Sequence, residues 1–190
     1  DVRTREFADE VVRLARGLLA AGVAAGDAVV LMAATRYEWA VADLASWYAG
    51  GVVVPVYPTS SVAQAAAILA DVAPVLAIVG GSAEREVLRV AAERAGRGPL
   101  PIWSMDPQPG EDLADLAARG ADVAAAAVEE RRQLAGPDDV ASIVYTSGAT
   151  GEAKGVLVTH GNLVREVLQV AAAYPEVVND RASTVVFLPL

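Results

Sequence analysis

Val140-Ala141-Ser142-Ile143-Val144-Tyr145 runs directly into Thr146-Ser147-Gly148-Ala149-Thr150-Gly151-Glu152-Ala153-Lys154-Gly155, and Val156-Leu157-Val158 follows. The first six residues form an apolar run of the kind a buried strand requires. The next ten hold three glycines and three hydroxyl side chains, after which Val156 to Val158 return to strand character. Thr159 can then cap a helix that continues through Val164 and Leu168. A glycine- and hydroxyl-rich loop therefore leaves the carboxyl end of a sheet strand, where open α/β sheets place their ligands.

Upstream, helix and strand patterns alternate. Thr4 can cap a first helix whose apolar face runs Phe7, Val11, Leu14 and Leu18, spaced three and four residues apart. Gly22 and Gly26 end it, and Ala28 to Met32 read as a strand. A second helix is predicted from Glu38 to Tyr48, closed by Gly50-Gly51. Val52 to Tyr57 form the next strand, in which Pro55 predicts an edge or a bulge. A helix from Ser61 to about Asp71 precedes a strand at Val75 to Val79. A charged helix at about 83–95 precedes a short strand at Leu100 to Trp103.

Residues 104–136 read as a helical excursion. Pro107, Pro109 and Gly110 make a turn, and an acidic, alanine-rich stretch broken at Gly120 predicts a solvated helical pair outside the sheet. The repeated order, with mostly continuous apolar strands, predicts an α/β fold: a mostly parallel, doubly wound sheet with flanking helices. The chain starts at Asp1 and ends on the apolar strand pattern Val185-Val186-Phe187-Leu188-Pro189-Leu190, so both ends are read as cut.

Composition excludes several kinds of site. With 190 residues and 54% hydrophobic side chains, a large core forms without disulfides or metal staples. There is no cysteine, which removes thiol nucleophiles and Cys-ligated zinc, and fits a reducing compartment. A single histidine, His160, excludes multi-histidine metal sites, so no metal ligand is assigned. The net charge of −9, with no basic stripe, argues against nucleic acid as a partner. Val62 to Gly81 carry Gln64, Asp71 and Pro74, and read as a helix then a buried strand instead of a membrane span.

The loop chemistry suits polyphosphate. Glycines let backbone N–H groups turn toward an anion and approach it. Thr146, Ser147 and Thr150 offer hydroxyl donors, and Lys154 a compact positive charge. Lys154 is the only lysine; the other 14 basic side chains are arginine, so this position stands apart. It is not a Walker A loop, because Ala153 precedes the lysine and Gly155 follows it. On residue chemistry alone, an ordinary hairpin with Lys154 on its surface remains the alternative.

Tyr145 to Gly155 closely resembles the phosphate loop of the adenylate-forming superfamily, the AMP-binding enzymes that include acyl-CoA synthetases, luciferases and peptide-synthetase adenylation domains. The usual form there is Tyr or Phe, Thr-Ser-Gly, Ser or Thr, Thr-Gly, any residue, then Pro-Lys-Gly. Val158-Thr159-His160-Gly161-Asn162-Leu163 resembles the segment that follows, commonly LTHxNL. Thr35-Arg36-Tyr37-Glu38-Trp39 is similar to the NRxEW region, and Val54 to Ser61 to the VPVYxTSS region, of long-chain acyl-CoA synthetases. Phe187-Leu188-Pro189-Leu190 resembles the strand before the family's conserved histidine segment.

The resemblance implies a bacterial long-chain fatty acid–CoA ligase, of which residues 1–190 are part of the large N-terminal AMP-binding domain. It further implies that the C-terminal domain and most catalytic residues lie outside this chain, so no catalytic residue is assigned and the fragment alone is expected to be inactive. It implies that Thr146, Ser147, Gly148, Ala149, Thr150, Gly151 and Lys154 embrace the ATP phosphates. Fatty acid, ATP and coenzyme A are the implied substrates, with Mg2+ held mostly by residues outside this chain. A cytoplasmic protein is expected, with peripheral docking at the inner membrane face left open. Ala149 stands where Ser or Thr is usual and Ala153 where Pro is usual; both changes predict weaker phosphate binding. A fatty acyl-AMP ligase feeding a carrier protein, or a non-catalytic nucleotide-binding module, remain the alternatives. His160, Arg36, Glu38 and Trp39 are expected to pack or pair, not to react, and Tyr57 to Ser61 to form a turn.

Overall fold

The computed structural model describes residues 2–147, 153–179 and 181–182; the strand expected at Val185 to Leu190 lies outside them. Five apolar runs become the strands β1 (Ala28–Met32), β2 (Val52–Val56), β3 (Leu76–Val79), β4 (Ile102–Ser104) and β5 (Val140–Ser147), all parallel where they pair. A sixth strand, β6 (Ala153–Thr159), pairs antiparallel with β5 at one edge. The sheet order is β4-β3-β1-β2-β5-β6. A mostly parallel sheet is therefore observed, and the reversal at β6 follows from the short 148–152 connection, since parallel neighbours need a long crossover.

Helices cover both faces: α1 (Thr4–Ala20), α2 (Tyr37–Tyr48), α3 (Val62–Val72), α4 (Ser82–Arg94), α5 (Leu113–Arg119), α6 (Ala125–Leu134) and α7 (His160–Ala173). The strand period of two divides the core into two layers. Val29 and Leu31 of β1 join Leu14, Leu18, Trp39, Leu116 and Val128 on one face. Val30 and Met32 join Ile68, Leu69 and Leu88 on the other. This is why the β1 sequence is apolar at every position: it is buried on both sides along its length.

Three local expectations are corrected. The cap of α1 is Arg3, not Thr4; the Glu6 carboxylate reaches back to accept the Arg3 N–H at 2.9 Å. Pro55 lies neither at an edge nor in a bulge, but in interior strand β2, opposite Leu31 of β1. The carbonyl of Val53 faces β5, where it accepts the Ser142 hydroxyl at 2.9 Å. Pro55, two residues on, turns its nitrogen the same way, and the β2–β5 register is confined to Val53 and Ser142. Its missing N–H therefore breaks no bond to β1.

The third correction concerns the helical excursion. α5 and α6 are not merely solvated: Leu116 and Val128 are fully buried in the layer under α1 and α2. Gly17 of α1 and Gly120 after α5 permit the approach. A Cβ on Gly17 would lie 2.2 Å from the Leu116 carbonyl oxygen, and one on Gly120 2.4 Å from the Arg16 carbonyl carbon. Arg16 fastens the contact by donating to the Val123 and Ala121 carbonyls at 2.5 and 2.6 Å.

Candidate nucleotide-phosphate site

β5 carries the candidate residues to the carboxyl edge of the parallel sheet. Its start is anchored by the Trp47 indole, which donates to the Ala141 carbonyl at 2.8 Å, and by the Ser142–Val53 bond. Alternation then decides which side chains face where. Ile143 and Tyr145 pack toward the layer that holds α3, so Thr146 turns to the opposite face.

The hairpin register pairs Thr146 with Lys154, Tyr145 with Gly155 and Ser147 with Ala153. Residues directly opposite in an antiparallel pair share a face. Thr146 and Lys154 therefore stand side by side at the mouth of the 148–152 connection, and both are exposed. Among the described residues the Lys154 ammonium has no ion-pair partner. Gly148, Ala149, Thr150 and Gly151 lie outside the described residues. β5 and β6 thus pair as the two arms of a hairpin, with Lys154 exposed on the returning arm.

Gly155 has a role that residue chemistry did not reveal. It lies within β6, where a Cβ would come 2.9 Å from Ile143 Cγ2 and 3.2 Å from Tyr145 Cζ. The glycine makes room for the tyrosine ring. The Tyr145 hydroxyl donates to the carboxylate of Asp71, near the end of α3. Burial and that carboxylate together push the phenol above its ordinary range.

The neighbouring strand ends are occupied by other contacts. Arg36, after β1, donates to Glu38 and to Asp106 at 2.7 Å each. Those hydrogen bonds, Glu38 first, hold the guanidinium proton more tightly than usual, and Arg36 in turn lowers the Glu38 carboxyl. Trp39 is buried in the core. Tyr57 to Ser60 form a turn closed by the Ser60 N–H on the Tyr57 carbonyl at 2.9 Å, and Ser61 caps α3 by accepting the Gln64 N–H at 3.3 Å. His160 packs edge-on against Trp47, ring centroids 6.0 Å apart, and burial pushes its pKa down. Thr159 caps α7 by accepting the Asn162 N–H at 3.2 Å.

Among the described residues no group of three or more His, Asp or Glu side chains is arranged to hold a metal ion. No helix among them is long and apolar enough to cross a membrane.

A strand-borne Thr-Ser and a lysine on the returning strand thus stand at the carboxyl edge of a doubly wound α/β sheet, the edge at which such folds place their ligands. The AMP-binding enzyme family model matches residues 4–190, and the chain belongs to that family of adenylate-forming enzymes. It is 37% identical over 204 aligned residues to long-chain-fatty-acid–CoA ligase FadD15 of Mycobacterium bovis, covering 100% of this chain and 32% of the relative. A feruloyl-CoA synthase of Amycolatopsis is 32% identical over 178 residues, covering 93% of this chain and 32% of that one. The crystal structure of a long-chain-fatty-acid-CoA ligase, FadD1 of Archaeoglobus fulgidus, superposes with a TM-score of 0.73 at 25% identity, covering 90% of this chain and 32% of that chain. The chain thus spans about a third of the length of these relatives.

Proposed function

We propose that the full-length gene product activates a long-chain fatty acid with ATP and passes the acyl group to coenzyme A. A carboxylate oxygen of the acid attacks the α-phosphorus of ATP, the bond from that phosphorus to pyrophosphate breaks, and acyl-AMP forms. The coenzyme A thiol gives up its proton to solvent, its sulfur attacks the acyl carbonyl carbon, the bond from that carbon to the AMP oxygen breaks, and the thioester and AMP leave. This chain's part is to hold the β- and γ-phosphates through Thr146, Ser147, the 148–151 loop and Lys154. Positive charge and donors aimed at departing pyrophosphate lower the barrier by electrostatic stabilisation and positioning.

The observation that carries this reading is Lys154, an ammonium with no ion-pair partner among the described residues, beside Thr146 at the rim of the loop. The 37% identity to a long-chain ligase over the whole chain supports the acyl class. Mg2+ is expected to accompany ATP, on ligands mostly outside this chain. ATP and coenzyme A are supplied in the cytoplasm, where we place the enzyme. A second reading, a different acyl acid, draws on the similarity to feruloyl-CoA synthase.

Acid-dependent ATP–pyrophosphate exchange by the full-length product tests the reading. Exchange with long-chain acids, and thioester formation that requires coenzyme A, is the expected result. Exchange with aromatic acids alone would select the second reading. Transfer to a carrier protein without coenzyme A would make it an acyl-AMP ligase. ATP binding without exchange for any acid would leave a non-catalytic module.

A further inference from the structure

We infer that Tyr145 and Asp71 form a latch that fixes the β5–β6 hairpin against α3 and so positions the phosphate loop; both are positioning residues, and the inference rests on the phosphate-binding reading above. The reason lies in how the hairpin is held. β5 shares a register with β2 only at Ser142, and β6 is exposed from Ala153 to Leu157. Beyond Ser142 the parallel sheet offers the hairpin no further ladder, so its outer half needs another support.

Side-chain hydrogen bonds tie β5 to its neighbours at Ala141, Ser142 and Tyr145, and the last of these is nearest the loop. It ties β5 to α3, 74 residues away in sequence, as the Trp47 bond ties the start of β5 to α2 on the opposite face. α3 is a firm partner: the Ser61–Gln64 capping box fixes one end, and Ile68 and Leu69 bury its face. On the hairpin side, Gly155 lets the Tyr145 ring lie across β6, so both strands move with the ring. Thr146, next to the latch, and Lys154, opposite Thr146, therefore take their position from the tyrosine.

Asp71 is exposed, so the bond adds little to global stability. Its effect falls on position, and that separates the latch from ordinary packing. In the full-length product, Tyr145→Phe and Asp71→Ala should each raise the KM for ATP in the exchange reaction about tenfold, the low end for a hydrogen bond to a charged group, with kcat and melting temperature little changed. The double variant should be no worse than either single one, because each removes the same interaction. Asp71→Asn, which keeps an acceptor, should restore most of the ATP affinity. Amide hydrogen exchange should quicken in residues 144–147 and 153–156 in both single variants and not in Asp71→Asn.

Unchanged KM and unchanged amide exchange in Tyr145→Phe and Asp71→Ala would overturn the latch, as would fully additive losses in the double variant. If the wild-type product shows no exchange with any acid, the functional reading falls, and amide exchange alone then decides whether the latch exists.

Discussion

Lys154 and Thr146 face each other across the β5–β6 hairpin, on the side of the sheet away from Tyr145. Their register and the strand period are enough to bring the ammonium and the hydroxyl together at the rim of the loop. Lys154→Ala should reduce acid-dependent ATP–pyrophosphate exchange by roughly 10²-fold, the scale for losing one group that stabilises developing charge. Lys154→Arg should recover only part of it, because a planar fork does not replace a compact ammonium. Equal activity of all three proteins would remove Lys154 from the phosphate site.

Ala149 stands where the family pattern carries a hydroxyl. Ala149→Thr should lower the KM for ATP by roughly tenfold if the added hydroxyl reaches a phosphate oxygen, the low end for a hydrogen bond to a charged group. An unchanged KM would show that this departure from the pattern costs nothing.

Gly17 lies inside α1, where local propensity favours alanine by about 1 kcal/mol. The Leu116 carbonyl oxygen opposes it, since a methyl group at Gly17 would sit 2.2 Å away. Gly17→Ala should therefore destabilise the protein by about 1–3 kcal/mol, through overpacking of α1 against α5. A raised melting temperature would mean that the helices separate without loss.

Asp43 of α2 is half-buried, one turn from Trp39 and one from Trp47, and burial pushes its carboxyl up to about 7. In the unfolded chain it ionises near the ordinary value of about 4. Between about pH 4 and 7 the unfolded state gives up the proton while the folded state keeps it, so stability falls as pH rises through that window. Asp43→Asn should flatten this slope. At pH 8 it should be more stable than wild type by on the order of 2 kcal/mol, after allowance for solvent screening, with little difference at pH 4, measured by urea unfolding.

Periodicity and local signals in the sequence by themselves determined most elements. β1 was legible to the residue, because its run of large apolar side chains is preceded by Asp27 and followed by Ala33-Ala34-Thr35-Arg36. The Thr159 cap and the breaks at Gly22, Gly26 and Gly50 are local devices, and the three glycines do adopt positive φ. The order Thr-Ser, glycines, lysine carried the resemblance to the family's phosphate loop, since that pattern is written in consecutive residues.

Tertiary structure alone decided what depends on distant partners. Pro55 reads as an edge residue until the one-sided pairing of β2 with β5 is seen, because a missing N–H matters only on the side where a ladder runs. Gly17 and Gly120 reveal their purpose only once α1 and α5 meet, and Gly155 only once Tyr145 lies across it. The bond from Tyr145 to Asp71 joins segments 74 residues apart, and no spacing rule connects them. Local propensity acts over a few residues, whereas contact between layers is set by how whole faces pack, so the loop's pattern was in the sequence and its support was in the fold.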